Sequence, residues 1–199
     1  MTGQPSRPVR VLGIAGSLRA GSYNRALLRA AIELAPEGMS ISAFDRIGDL
    51  PHYNADVDGG DSAAKELEPV HALRDAIRAA DALLIVTPEY NYGIPGVLKN
   101  AIDWASRPAA TSALKGIPAG IMGASIGVVG TARAQLALRQ AFVFTQTYAL
   151  AAPEVLVSSA AQKFDAELKL TDEATRKFVR EHLVRLEEWS RRLGLRPSA

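Results

Sequence analysis

With 199 residues, 48% of them hydrophobic and 22% charged, the chain suits one domain with a sizeable core and is too apolar for wholesale disorder. Its 23 basic and 21 acidic residues nearly cancel to a formal charge of +2, which excludes the strongly basic footprint of a nucleic-acid binder. There is no cysteine, so disulfides, thiolate metal sites and thiol catalysis are excluded, and any redox chemistry must come from a borrowed cofactor.

The start, Met1 to Arg10, is polar and unlike a signal peptide. Residues 1–8 and 195–199 are expected to be flexible ends of a single domain spanning 1–199. No run reaches the roughly 18 apolar residues that a membrane span needs, so a cytoplasmic protein with no membrane insertion is expected. Val9 to Ala15 reads as a buried strand, and Gly16 to Gly21 breaks it. Asn24 to Ala35 has helical spacing, with Leu27, Leu28, Ala31 and Leu34 on one face and Pro36 and Gly38 as stops. Met39 to Phe44 alternates like a second strand. A long loop from Asp45 to Asp61 leads into a helix over roughly Ser62 to Ala80.

Ala82 to Thr87 is the most strand-like run in the chain. After a loop from Pro88 to Gly93, Pro95 opens a helix to about Ser106, with Val97, Leu98, Ala101, Ile102 and Ala105 on its apolar side. That stripe and Trp104 suit either simple core or contact with a partner subunit. Ile117 to Ala124 is a fourth strand, Ala132 to Tyr148 a helix, and Glu154 to Val157 a fifth strand. Thr171 is expected to cap a last helix running to about Leu193, with Phe178, His182, Leu186, Trp189 and Leu193 on its apolar stripe.

Strands alternating with helices predict an α/β fold: a doubly wound parallel sheet of five strands, in the order 2-1-3-4-5, with helices on both faces. Ligands of such sheets bind outside the carboxyl ends of the strands, where the winding reverses. The loops after strands one, three and four should therefore build the site.

The first of these reads Gly16-Ser17-Leu18-Arg19-Ala20-Gly21-Ser22-Tyr23-Asn24. Gly16 and Gly21 have Walker A spacing, but Ser22 and Tyr23 stand where Lys and Ser/Thr must follow, so a nucleotide hydrolase is not expected. Hydroxyls from Ser17 and Ser22, the Asn24 amide and the Arg19 guanidinium before a helix start suit one terminal phosphate. Any one of them alone would read as a helix cap or a solvated charge. In the loop after strand three, Pro88 offers rigidity and Tyr90 and Tyr92 offer aromatic area. Glu89, Asn91 and the main chain offer polar contacts to a flat heteroaromatic ring; half-buried packing is the plainer role for the tyrosines. No His/Asp/Glu set has metal-ligand spacing. His71 and His182 fall within helices as structural or surface residues, whereas His52 sits in a loop near the site. The basic residues from Arg176 to Arg196 alternate with Glu181, Glu187 and Glu188, as on a solvated helix face.

The segments GSLRAGSYN and TPEYNYGIPGVLKNAIDW, followed by GASIGVVGTARAQLALRQ and a late PEV strand, resemble the NADPH-dependent FMN reductase family, which includes bacterial chromate and quinone reductases. The likeness spans nearly the whole chain. It implies a flavodoxin-like fold, bound FMN, NADPH or NADH as co-substrate, and a homodimer or homotetramer. It also implies ping-pong turnover, in which NAD(P)H reduces FMN and leaves before a quinone or another small acceptor (flavin, azo, nitro or chromate) is reduced. By the resemblance, the Ser17-Leu18-Arg19 and Gly21-Ser22-Tyr23-Asn24 segments hold the phosphate and ribityl end. Pro88, Glu89, Tyr90 and Asn91 line the isoalloxazine, and Ser125 contacts it. The chemistry is the flavin's, so no protein acid or base is named. Asp49 to Asn54 resembles a second loop bordering the site, and Gly130-Thr131 stands where relatives often carry Gly-Gly. A flavodoxin-type electron carrier and a flavin redox sensor are the alternative functions.

Overall fold

The computed structural model describes residues 7–58 and 67–195. At its centre lie three strands, β1 (Val9–Ala15), β3 (Ala82–Val86) and β4 (Pro118–Ala124), buried throughout except at Arg10. Their runs are continuously apolar because helices cover both sheet faces. Side chains alternate between the two faces with a period of two. Thus Ala82, Leu84 and Val86 join one core layer, while Leu83 and Ile85 join the other. The first layer is closed by α1 (Tyr23–Glu33) and α6 (Glu173–Leu193), through Leu27, Leu28, Ala31, Val179, Leu183 and Leu186. The second is closed by α3 (Glu68–Ala79), α4 (Gly96–Ala105) and α5 (Ala132–Thr145), through Leu73, Ile77, Leu98, Trp104, Leu138 and Phe142. A short helix, α2 (Ala55–Asp58), lies before residues 59–66.

The strand order is β2-β1-β3-β4-β5, all parallel, with β2 at Met39–Ala43. This is the predicted winding with one difference at its last position. Two short strands share that position: β5 (Tyr148–Ala149) pairs with Pro118 and Ala119, and β6 (Val155–Val157) pairs with Met122 to Ala124. The segment between them contains Pro153, which has no N–H to continue the ladder.

Other boundaries shift for local reasons. Asp172, not Thr171, caps α6, its carboxylate accepting from the Thr175 N–H at 2.8 Å. The buried stripe of that helix runs through Thr175, Val179, His182, Leu183, Leu186 and Ser190, so Phe178 and Leu193 face outward instead. Helix α5 stops at Thr145 because Gln146 turns left-handed, at φ 57°, and Tyr148 enters the sheet. The start expected for α3 at residues 62–66 lies outside the described residues, as do the chain ends 1–6 and 196–199. Arg7, expected in the flexible end, is held instead: its guanidinium forks onto Asp81 at 2.6 and 2.9 Å. Burial of Asp81 opposes ionisation, but hydrogen bonds from Arg7 and Arg10 outweigh it and hold the carboxyl well below its ordinary range. The α4 stripe, with Trp104, is internal core; exposed apolar side chains sit on α5 at Leu136, Val143 and Phe144.

Candidate functional site

The first wall is the turn from β1 into α1. Gly16 still donates to the Val86 carbonyl at 2.9 Å, and then the chain leaves the sheet. Ser22 is the N-cap: its Oγ accepts from the N–H groups of Asn24 at 3.2 Å and Arg25 at 3.3 Å. Among the described residues, the backbone N–H groups from Ser17 to Gly21 have no protein acceptor. A run of free donors before a helix start is an anion-binding surface. Ser17 is buried, whereas Leu18, Arg19 and Gly21 face outward, and Leu18 covers Gly48 of the second loop. The Tyr23 ring packs against Phe164, with centroids 5.3 Å apart.

The second wall is the loop after β3. Tyr90 and Gly93 exchange backbone hydrogen bonds at 3.2 and 2.9 Å, closing a two-residue turn over Asn91 and Tyr92. Both central residues have positive φ, 48° and 67°, the signature of a type I′ turn. Glu89 lines the cavity, but its carboxylate is already engaged. It accepts from the N–H groups of Arg133 at 2.9 Å and Ala134 at 3.1 Å, and from the Arg133 guanidinium at 3.0 Å. Burial pushes its pKa upward, yet those bonds prevail and hold the carboxyl below its ordinary value. Glu89 thus occupies the start of α5 as an internal anion.

The third wall is the end of β4 and the loop beyond it. Ser125 Oγ accepts from the Gly127 N–H at 3.1 Å, and its backbone pairs with Val157 and Ala160. Asn24 reaches across to the backbone of Ala124, accepting from its N–H at 2.8 Å and donating to its carbonyl at 2.9 Å. Thr131 anchors the far end of this loop: it is fully buried, and its Oγ1 accepts from Gln135 at 3.0 Å. It lies over Gly123, where any side chain would collide with Thr131 and with the Thr87 carbonyl.

These walls enclose a cavity of about 210 Å³ lined by Ser17, Arg19, Ser22, Tyr23, Asn24, Pro88, Glu89, Tyr90, Ala124, Ser125 and Ile126. Leu18, Gly21 and Asn91, expected at the site, lie outside that lining. So does the second loop. It is fastened to α4, where the Pro51 carbonyl accepts from Trp104 Nε1 at 2.7 Å and Asn100 Nδ2 at 2.9 Å, leaving His52 exposed. Ala124 and Ile126 join the lining, and Arg133 and Thr131 brace it; sequence reasoning singled out none of the first three for these places. A Glu on one loop and an Arg at the next helix start carry no local pattern, so only folding reveals that pair. Two larger grooves, of about 390 and 630 Å³, run beside β6 and β5, away from the loops after β1 and β3. Among the described residues, no three His, Asp or Glu side chains are grouped to hold a metal, and no helix is long and apolar enough to cross a membrane.

The model of the NADPH-dependent FMN reductase family matches residues 9–162. The chain is 52% identical over 189 residues to an NAD(P)H-dependent FMN reductase of Pseudomonas aeruginosa, covering 94% of this chain and 98% of that protein. It is 38% identical over 191 residues to a quinone reductase of Escherichia coli, covering 96% and 100%. The solved structure of the flavoenzyme NAD(P)H:acceptor oxidoreductase FerB from Paracoccus denitrificans superposes with a TM-score of 0.83 at 38% identity, covering 94% of this chain and 100% of that one.

Proposed function

Because this chain belongs to the NADPH-dependent FMN reductase family, we propose that it is an FMN-dependent oxidoreductase that takes electrons from NADPH or NADH and reduces quinones or similar small acceptors. One observation carries the reading: the turn from Ser17 to Gly21 leaves its N–H groups unpaired and borders the cavity through Ser17 and Arg19, while Glu89 already fills the α5 start. An incoming phosphate therefore finds free donors on the turn before α1, ahead of the Ser22 cap, whereas Glu89 holds those of Arg133 and Ala134 at the start of α5. Arg19 adds a charge-assisted contact there, and the Ser17 and Ser22 hydroxyls add donors. Pro88 and Tyr90 then stand where a flat ring leaving that phosphate would lie. FMN, when bound, supplies the hydride and electron chemistry.

The protein's part is binding and exclusion. The cavity is small beside the several hundred Å³ usual for such sites, so it suits the phosphate end and one face of a ring, leaving the other face open. A single open face suits donor and acceptor in turn, which is the basis for a ping-pong order. Azo, nitro and chromate acceptors fit the same exposed face. The reading extends to a homodimer or homotetramer, with the exposed Leu136, Val143 and Phe144 of α5 as an apolar contact face. A monomeric mass by light scattering at micromolar concentration would reject the oligomer.

The test is an absorption spectrum of the purified protein, followed by steady-state NADPH and NADH oxidation with excess quinone. A yellow protein with rapid turnover is expected. A protein that stays colourless with added FMN overturns the reading, and a yellow one with negligible turnover identifies an electron carrier instead.

A further inference from the structure

We propose that Arg133 is a positioning residue of this site: it clamps the Tyr90–Gly93 turn to the start of α5, so that the loops after β3 and β4 form one rigid wall. The Arg133 guanidinium donates to Glu89 at 3.0 Å and lies over the Tyr92 ring, 3.8 Å from its centroid. It therefore grips the turn at two points, one before and one inside it.

The turn needs such a grip. Asn91 tolerates its φ of 48°, but Tyr92 at φ 67° is a bulky residue in a region that costs it energy. Tyr92 is also 71% exposed, so core burial does not hold it. The contact that faces its ring is the arginine, whose plane suits both stacking and the carboxylate; a lysine offers a point charge without the plane. The backbone N–H groups of Arg133 and Ala134 fix the Glu89 carboxylate at the helix start. The guanidinium then carries that fixed point across to Tyr92. Tyr90, which lines the cavity, lies between the two anchored residues.

The importance of this wall for turnover rests on the flavin reading, whereas the clamp itself is testable without FMN. Hydrogen exchange of the flavin-free protein is followed at Tyr90 and Gly93, whose amides bond to each other's carbonyls. In Arg133→Ala those amides are expected to exchange about tenfold faster, with β3 and β4 amides still protected. Tyr92→Leu, which keeps the Glu89–Arg133 pair, should accelerate the same amides, and Arg133→Lys should not restore full protection. Unchanged exchange at the turn in Arg133→Ala overturns the proposal. If Arg133→Ala loosens the whole fold, Tyr92→Leu decides: faster exchange confined to the turn supports the clamp, and unchanged exchange overturns it.

A second readout uses the FMN-loaded protein. A several-fold rise in quinone KM with kcat within about twofold, and an altered visible circular dichroism of the flavin, are expected for Arg133→Ala. Unaltered dichroism and KM would mean that Arg133 is structural only. A wild-type chain that takes up no FMN would reject the flavin reading and leave the exchange result standing.

Discussion

The side-chain amide of Asn24 and the backbone of Ala124 bond in both directions, at 2.8 Å into Oδ1 and 2.9 Å from Nδ2. The two residues are a hundred positions apart in sequence, and this exchange joins the start of α1 to the end of β4. Both partners are buried, so their groups have no water to fall back on. Removing the amide strands two backbone groups at about 1–3 kcal/mol each. We expect Asn24→Ala to lose roughly 2–6 kcal/mol of stability in urea unfolding of the flavin-free protein. Asn24→Asp should fare no better, because its carboxylate would face the Ala124 carbonyl. A loss under about 1 kcal/mol in both would show that this bridge is not a structural tie.

Arg19 is exposed and lines the cavity beside the free N–H groups. A charged hydrogen bond to a phosphate is worth about 1.5–3 kcal/mol, or roughly 10–100-fold in affinity. Arg19→Ala is therefore expected to raise the FMN dissociation constant by that factor. Turnover of the FMN-loaded fraction should change far less if Arg19 holds the phosphate end. Fluorescence titration separates the two quantities. Unchanged FMN affinity would show that the phosphate sits elsewhere.

The contrast between Arg19 and Asn24 shows how much was readable in the chain. The three central strands and their winding were legible because continuous apolar runs between helical stretches leave few other arrangements. The turn before α1 was legible as a candidate anion site for a similar reason: Ser22, Gly21 and Arg19 at a strand-to-helix turn form a local pattern. Asn24 and Glu89 were singled out as candidate ligand contacts, and both line the cavity. Their polar groups are engaged with Ala124, Arg133 and Ala134, which the sequence holds far away. The divided fifth position of the sheet was missed because Tyr148–Ala149 is too short to show a strand period. On α6, His182 and Leu186 of the expected stripe are buried, but Phe178 looks like core and Val179 takes that place.

Glu89 makes stability depend on pH. Its folded pKa lies below the ordinary 4.5: burial opposes ionisation, and the bonds from Ala134 and Arg133 prevail. A depressed carboxyl contributes stability that is present above 4.5 and lost as pH falls through the folded value. Other lowered carboxyls, such as Asp81 and Asp172, act in the same direction, so the difference between two proteins is the useful quantity. Glu89→Gln should be less stable than wild type at neutral pH, and the gap should narrow as pH drops below 4.5. Urea midpoints at several pH values check this. A gap that stays constant with pH would mean that Glu89 is not held ionised by the α5 start.

His182 on α6 packs against Gly120 on β4. The imidazole is fully buried; its Nδ1 donates to the Pro153 carbonyl at 2.8 Å, and its Nε2 has no partner. Burial pushes its pKa below 6.5; the Pro153 bond opposes this and the nearby Arg139 charge adds to it. The neutral ring is thus the folded form. A depressed histidine contributes stability that is present above 6.5 and lost as pH falls toward the folded value, because the unfolded chain takes up the proton first. His182→Asn keeps a donor for Pro153 without the titration, so its stability should vary less with pH just below 6.5. The bare Nε2 also sets the residue at 120. A methyl there would stand 2.6 Å from Nε2 and 3.0 Å from the Leu186 side chain. Gly120→Ala should therefore cost about 1–3 kcal/mol by overpacking β4 against α6. In the His182→Asn background the shorter side chain leaves room, and the same substitution should cost measurably less. A double-mutant cycle in urea reads that coupling directly. Additive losses would show that Leu186, and not the imidazole, is what excludes a side chain at Gly120.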